Sequence, residues 1–243
     1  MPRFSFPDVL REWIDPDVLG LTALPLPTHL DGRVGWCQVC GASCDGADSS
    51  IASAGRCELP DGIDALISLG DYSGPAGQAA RLIKGTGWTD GAWWWGSALG
   101  TRLAAWSSGN DGASDRAVPG GSVATRSTDA VLVPVPGDRW RTLLRGIDHA
   151  AVLARAASAS CGWPWRSLLV RQDGTRQASR DAQKRRAMQG RFSIKSKGIM
   201  VPNRVVLVDD VCTTGSTGAD CARAIRRAGA RWVALGVLAR AHR

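Results

Sequence analysis

The sequence of 243 residues is long for one small domain and short for two large ones, so we expect a main domain of roughly 150 residues with a smaller module. A hydrophobic fraction of 44% excludes a globally disordered chain, and the lack of any apolar stretch of about 18 residues predicts no membrane insertion. The net charge of +8 indicates anionic partners, either phosphorylated metabolites or nucleic acid.

The N-terminal segment, residues 1–65, is expected to form a small module beside the domain of residues 66–243. Its first 30 residues carry four acids among apolar residues: Asp8, Glu12, Asp15 and Asp17. A secretory signal peptide has a basic start and a continuous apolar run instead. We therefore expect a cytoplasmic protein, whose seven cysteines are thiols or metal ligands rather than disulfides.

Four of the cysteines lie close together in this N-terminal module. Cys37, Cys40, Cys44 and Cys57 have the spacing C-x2-C-x3-C-x12-C. Two residues between Cys37 and Cys40 let both sulfur atoms face one ion, and four thiolates in a tetrahedral array form a closed structural zinc site. The wide spacing of the second pair fits this site poorly. A structural Zn²⁺ and a module of unligated thiols therefore both remain open.

The segment after the module predicts helices and then a flexible connection. Residues 72–106 have a helical pattern interrupted by glycines, and they include the cluster Trp93, Trp94 and Trp95. We expect these tryptophans to pack in a core or an interface, with stacking on nucleic-acid bases as the alternative. Residues 107–128 are rich in Ser, Gly and Asp, which predicts a flexible insertion.

The rest of the chain predicts strands that alternate with helices. Strands are predicted at residues 130–136, 167–171, 205–211 and 232–238, and helices at residues 141–159 and 217–228. The strand at 205–211 is apolar on both faces, which is typical of a central strand in a parallel sheet. Alternating strands and helices of this kind predict an α/β fold with a parallel sheet flanked by helices.

The segment after this central strand has the composition of a phosphate-binding loop. Asp209 and Asp210 follow the apolar run and are expected to meet the solvent. Small hydroxyl residues and a glycine come next, directly before a helix: Thr213, Thr214, Gly215, Ser216 and Thr217. Ligands bind at the carboxyl edge of open α/β sheets, and the backbone N–H groups of a helix start attract a phosphate.

Each residue type in this loop has a physical task. Gly215 lets the backbone approach a ligand closely, and the hydroxyl groups add hydrogen-bond donors. Asp209 and Asp210 would repel a phosphate, but they can accept hydrogen bonds from the two hydroxyls of a ribose beside it. The alternative is a strand with an acidic end before a helix capped by Ser or Thr. The segment lacks the lysine of a GxxxxGK[ST] loop, which excludes a nucleoside-triphosphatase of that type.

These residues match the phosphoribosyl pyrophosphate signature of type I phosphoribosyltransferases, and the chain resembles the ComF family of phosphoribosyltransferase-like proteins. The matching pieces are WCQVCG at residues 36–41, Tyr72-Ser-Gly with the later Lys84, VPVP at 133–136, RGIDHA at 145–150, and the block 205–240. The resemblance covers residues 36–243, with 107–128 as an insertion. It implies a type I phosphoribosyltransferase-like sheet that binds phosphoribosyl pyrophosphate together with Mg²⁺.

The resemblance also implies roles for basic residues. A loop at residues 136–145 would grip the pyrophosphate through Arg139 and Arg145, with Arg141 also available, because guanidinium groups pair with phosphate oxygens. A nitrogen nucleophile would displace pyrophosphate from the ribose C1, with Asp209 and Asp210 at the site.

The basic stretch 173–190 would act as a lid that supplies Arg185 and Arg186 to this reaction. Ala187 stands where the family usually has Asn, which weakens the catalytic interpretation. The same stretch could follow a single-stranded DNA backbone or form a solvated basic face.

Two functions therefore remain open. The first is a phosphoribosyltransferase acting on an unidentified nitrogen acceptor. The second is a non-catalytic adaptor that handles single-stranded DNA, since the family is linked to natural DNA uptake with a helicase-like partner. A ligand-sensing regulator is less favoured, because the sequence has no helix-turn-helix pattern.

Overall fold

The main sheet has four strands, all parallel. The structure, a computed structural model, describes residues 59–86, 89–108, 130–138, 142–143, 146–172, 190–196 and 198–241. The strands are β1 (Ala65–Asp71), β2 (Val131–Pro134), β5 (Arg204–Cys212) and β6 (Trp232–Arg240), in the order β1-β6-β5-β2. Because neighbouring strands are parallel, their carboxyl ends meet at one edge of the sheet. The predicted parallel sheet flanked by helices is confirmed.

A second, two-stranded sheet accompanies it. Strands β3 (Leu169–Arg171) and β4 (Phe192–Ile194) are antiparallel, with Arg171 opposite Phe192. Four helices complete the described elements: α1 (Pro75–Thr86), α2 (Thr89–Ser108), α3 (His149–Cys161) and α4 (Ser216–Arg227). Among the described residues, no helix has the length and apolar character needed to span a bilayer.

Two hydrophobic clusters cover the two faces of the main sheet. Val206 and Val208 of β5 lie in a cluster with apolar residues of α1, α2 and α3. Val205 and Leu207 lie in the other cluster, together with Ile225 of α4. Successive side chains of a strand point to opposite faces, so the continuous apolar run of β5 lets it form both cores at once.

Helices α2 and α3 approach each other closely through two glycines. A Cβ atom added at Gly96 would lie 2.8 Å from the Cβ of Ala156, and one at Gly100 would lie 2.8 Å from the Cα of Ala157. Real side chains do not tolerate such distances, so this spacing of small residues allows the two backbones to pack together.

The structure differs from the prediction in two elements, a helix that begins later and a strand that the sequence did not predict. The helix predicted from residue 141 begins at His149, where the Asp148 side chain accepts a hydrogen bond from the Ala151 N–H and caps the helix. Strand β1 was not predicted at all. The other predicted strands are confirmed, with β5 and β6 extending to Cys212 and Arg240.

The tryptophan cluster on α2 divides between core and surface. Trp95 is buried against the first hydrophobic cluster and packs edge-on against the Trp94 ring. Trp93 and Trp94 are 46% and 40% exposed. The packing prediction is therefore confirmed for Trp95 only.

Candidate functional site

The phosphate-loop candidate is a three-residue connection at the carboxyl edge of the main sheet. β5 ends at Cys212 and α4 begins at Ser216. The N-cap residue is Gly215, with a φ of +73°, which has no side chain that could accept a hydrogen bond. The first N–H groups of any helix lack partners within the helix and carry a partial positive charge. The N-cap is therefore a glycine and not the Ser or Thr of the alternative.

The hydroxyl groups of the loop form a small network of their own. The Thr214 hydroxyl donates to Ser216 Oγ at 3.1 Å and accepts from the Ser216 N–H at 3.3 Å. Thr213, Thr214 and Ser216 are exposed, whereas Thr217 is half-buried. The structure therefore presents three hydroxyls of the predicted loop to the solvent next to the helix start.

The two acids lie inside β5 and not after it. Asp209 is half-buried and faces Val237 of β6 in the sheet register, while Asp210 is only 7% exposed. The Asp210 N–H donates to Asp209 Oδ1 at 2.9 Å. The prediction that both carboxylates meet the solvent is wrong for Asp210, because the sheet pairing continues past both acids.

This position makes Asp209 reluctant to ionise. Burial raises the pKa of its carboxyl well above the ordinary range, and the neighbouring Asp210 charge raises it further. The hydrogen bond from the Asp210 N–H and the charge of Lys84 act in the opposite direction but are outweighed. The acidic pair (Asp209 and Asp210) is thus close together, and part of its charge is uncompensated by the protein.

Lys84 is a site residue to which the sequence assigned no role. Its Nζ lies 2.9 Å from Asp210 Oδ1, and its side chain is 47% exposed. It comes from the last turn of α1, far away in the sequence. The sequence marked Lys84 only as a part of the family resemblance, and no local pattern in it links a helix to a distant strand.

A cleft of about 360 Å³ lies against the start of α4. Its lining includes Thr214, Gly215 and Ser216 on one side and Pro60 on another. Pro60 lies so close to Gly215 that a Cβ atom added there would be 2.7 Å from the proline Cβ and nearer still to its Cγ. In the structure, the residue that approaches Gly215 closely is therefore Pro60.

A partly buried ion-pair network lies at this cleft, whose lining includes Asp220 and Arg223. Asp220 of α4 accepts a hydrogen bond from Arg191 Nε at 2.8 Å and a second from Arg223. Burial alone would raise the pKa of the Asp220 carboxyl, but the two arginines outweigh it and lower the pKa below its ordinary value. The network connects β4, which follows Arg191 directly, to the helix that starts at the phosphate loop.

A larger cleft of about 510 Å³ lies at the carboxyl end of β2. Two cationic residues, Arg171 and Lys195, line it together with Pro136 and Asp148. Lys195 Nζ donates to Ser167 Oγ at 2.6 Å. The predicted pyrophosphate loop borders this cleft, but Arg139, Arg141 and Arg145 lie outside the described residues.

The basic stretch also lies outside the described residues, including Arg185 and Arg186. The residues that flank it are described and lie next to each other, because the Gln172 N–H donates to the Arg191 carbonyl oxygen at 2.8 Å. Gln172 and Arg191 adjoin the paired ends of β3 and β4, beside Arg171, which lines the larger cleft.

The four cysteines of the predicted zinc site, Cys37, Cys40, Cys44 and Cys57, lie outside the described residues as well. Of the cysteines that the structure does describe, Cys212 lies next to the phosphate loop. Burial raises the pKa of its thiol, and Asp209 adds to this effect against the charge of Arg240. A protonated, buried thiol is a poor nucleophile, so Cys212 fills space at the site.

Comparison with known proteins identifies one curated relative. The chain is 30% identical to competence protein ComFC of Streptococcus pneumoniae (strain ATCC BAA-255 / R6) over 101 residues, which are 42% of this chain and 43% of that protein. The chain thus matches less than half the length of this relative.

A solved structure described as the allosteric regulatory enzyme of purine biosynthesis matches with a TM-score of 0.36 and 20% identity. That match covers 59% of this chain and 25% of the other, and its score is too low to support an argument. No protein-family model matches the sequence. The sequence similarity to ComFC confirms the resemblance to the ComF family that the motifs of this chain predicted.

Proposed function

We propose that the carboxyl edge of the main sheet binds a ribose 5-phosphate group, and that the ligand is phosphoribosyl pyrophosphate with Mg²⁺. The observation that carries this proposal is the α4 start, whose N-cap is a glycine and which follows the strand that holds the acidic pair after a loop of three residues. An anion bound there would be held by the N–H groups of the helix start and by the hydroxyls of Thr213, Thr214 and Ser216.

The acidic pair suits the sugar of such a ligand. The Asp209 carboxylate is half-buried and already accepts the Asp210 N–H, so it is held in one orientation. A ribose has two adjacent hydroxyls that can donate to such a carboxylate, and hydrogen bonds to the ionised form lower its raised pKa. A ribose would therefore satisfy the charge that the protein leaves uncompensated.

The Mg²⁺ would come with the ligand. Among the described residues, no three His, Cys, Asp or Glu side chains converge in a metal site. Mg²⁺ prefers oxygen ligands and keeps much of its water, so pyrophosphate and ribose oxygens would supply most of its coordination. The pyrophosphate would extend toward the cleft at β2, where Arg171 and Lys195 offer positive charge.

We further propose that the protein transfers the phosphoribosyl group to a nitrogen acceptor. In this reaction the acceptor nitrogen forms a bond to the ribose C1 while the bond to pyrophosphate breaks. Negative charge grows on the leaving pyrophosphate, and Mg²⁺ and basic residues would stabilise it. Support comes from the basic composition of residues 173–190 and from the flanking residues Gln172 and Arg191, which are hydrogen-bonded to each other next to Arg171 of the cationic cleft.

A second candidate is an adaptor that handles single-stranded DNA in competence. The name of the relative, competence protein ComFC, favours this role, as does the net charge of +8. The basic stretch would then follow a phosphate backbone, and a helicase-like partner would act on the same DNA. The ribose-phosphate site would serve binding without turnover.

Calorimetric titration of the whole chain with phosphoribosyl pyrophosphate and Mg²⁺ tests the site. We expect binding in the wild type, a loss of at least about tenfold in affinity in the Asp209→Asn plus Asp210→Asn variant, and no change in the control Asp90→Asn. Asp90 is an exposed acid in the first turn of α2, on a different element from the acidic pair. Unchanged binding in the double variant would refute the proposal.

Two further assays separate the enzyme from the adaptor. Release of pyrophosphate in the presence of amine or nucleobase acceptors would support transfer. Single-stranded DNA binding that weakens steeply with salt, and that is lost in a Lys184/Arg185/Arg186→Ala variant, would support the adaptor.

A further inference from the structure

We propose that Lys84 is a positioning residue for the acidic pair. Its ammonium group holds the Asp210 carboxylate in one orientation and offsets one of the two negative charges that a phosphorylated ligand meets at this edge. The ligand part of this inference rests on the proposed function above. The coupling between Lys84 and Asp210 can be tested without any ligand.

The backbone positions of both residues are fixed by the core. Lys84 follows Ile83, which is fully buried in the same cluster as Val206 and Val208 of β5. Asp210 continues the same face of that strand. The 2.9 Å contact between Nζ and Oδ1 therefore joins two elements of the core, unlike a pair of long side chains that meet on a mobile surface.

The charge of Asp210 needs this partner. Its side chain is 10% exposed, and Lys84 is its salt-bridge partner among the described residues. A carboxylate with so little contact with water is costly unless a cation or several hydrogen bonds compensate it. Without Lys84 the Asp210 carboxylate would lie beside Asp209 without this cation, and nothing at the salt bridge would offset its repulsion of an approaching phosphate.

The charged and titratable groups around the pair come from four elements. Lys84 of α1 contacts the pair, and Cys212 follows the pair on β5. Arg240 lies at the end of β6. The charge of Asp209 also raises the pKa of Cys221 on α4. Lys84 contacts the pair directly, through Asp210. Because the charge of Lys84 lowers the pKa of Asp209, its removal should make Asp209 take up a proton at a higher pH.

The experiment compares Lys84→Met with Lys84→Arg in the full chain. Arg231→Met serves as the matched control, because Arg231 is an exposed cation at the opposite edge of the sheet. Affinity for phosphoribosyl pyrophosphate with Mg²⁺ is measured from pH 5.5 to 8.5. Unfolding by urea without ligand is measured for Lys84→Met, Asp210→Asn and the double variant.

We expect Lys84→Met to weaken binding about tenfold at neutral pH and to move the loss of binding on acidification to a higher pH. Lys84→Arg should restore affinity to within about threefold, and Arg231→Met should match the wild type. In unfolding, Lys84→Met should have a clear effect in the wild-type background and almost none beside Asp210→Asn.

An unshifted pH profile in Lys84→Met, or an arginine variant no better than the methionine variant, would overturn the positioning role. Equal effects of Lys84→Met in both unfolding backgrounds would overturn it too. If Lys84→Met does not fold, the pH profile of Lys84→Gln replaces it and is judged by the same outcomes. A wild type that fails to bind the ligand would refute the proposed function, while the unfolding cycle would still decide whether Lys84 and Asp210 are coupled.

Discussion

Gly215→Ala is expected to destabilise the protein more than Gly162→Ala, although both replace a glycine with nearly the same backbone geometry. Gly215 has a φ of +73° and Gly162 a φ of +77°. A Cβ atom added at Gly162 would contact nothing within 4 Å, whereas one at Gly215 would lie 2.7 Å from the Cβ of Pro60 and closer to its Cγ. The comparison therefore isolates the contact between the phosphate loop and Pro60.

The magnitudes follow from these two differences. A left-handed backbone costs an L-residue about 1–2 kcal/mol, and both variants incur that cost. The smaller flexibility of alanine in the unfolded chain acts equally on both. Overpacking against the Pro60 ring adds about 1–3 kcal/mol at Gly215 only, so the free energy of unfolding should fall by about 1–3 kcal/mol more in Gly215→Ala than in Gly162→Ala.

Urea unfolding of the two variants, alone and in a Pro60→Gly background, measures this contact. The Pro60→Gly change has its own cost, but the double-mutant cycle removes it from the comparison. In that background Gly215→Ala should cost no more than Gly162→Ala does. Equal costs of the two alanine variants in the wild-type background would refute the inference that Pro60 packs on the loop.

Four further changes have expected outcomes that unfolding experiments can check. Because the pKa of Asp209 is raised in the folded state, its ionisation destabilises the fold above pH ~4, the unfolded value. Asp209→Asn should therefore be more stable than the wild type at pH 8 and lose this advantage near pH 4; a less stable variant at pH 8 would contradict this.

The pKa of Asp220 is lowered in the folded state, so its ionisation stabilises the fold. The wild type should therefore be more stable than Asp220→Asn above pH ~4, and the difference should vanish as the pH falls below that value. Arg226→Ala removes hydrogen bonds that join α4 to the starts of β1 and β6, and should cost about 1–2 kcal/mol, whereas Arg231→Ala should cost less than about 0.5 kcal/mol. Gly100→Ala should lower the melting temperature, because backbone atoms of α3 leave no room for a Cβ atom.

The central strands and α4 could be predicted because their signals are local. Long apolar runs at 205–211 and 232–238 need no partner to be recognised, and Gly229 marks the end of a helix. Strand β1 was missed because its apolar run is short and contains Ser68 and Gly70. The start of α3 had a usable signal in Asp148, a good N-cap residue, but the alanine-rich pattern extended the prediction too far toward the N-terminus.

The candidate site was predictable in part for the same reason. The loop Thr213–Ser216 follows its strand directly, so its place at the sheet edge could be read from the sequence. Partners from distant parts of the chain could not be read in this way. Pro60 packs on Gly215 and Lys84 pairs with Asp210 only because the topology brings β1, α1 and β5 together.

The balance of charge at the acidic pair gives a physical reason to expect a ligand there. An apolar strand usually ends where charges begin, yet β5 keeps its pairing with β6 through both acids as far as Cys212. Two carboxylates in such a place destabilise a fold unless cations or donors compensate them. Lys84 compensates the charge of Asp210. The raised pKa of Asp209 indicates that the hydrogen bond from one amide N–H does not compensate the charge of Asp209. The proposed ligand, a group with adjacent hydroxyl donors and an anion bound at the start of α4, would supply the hydrogen bonds that Asp209 lacks.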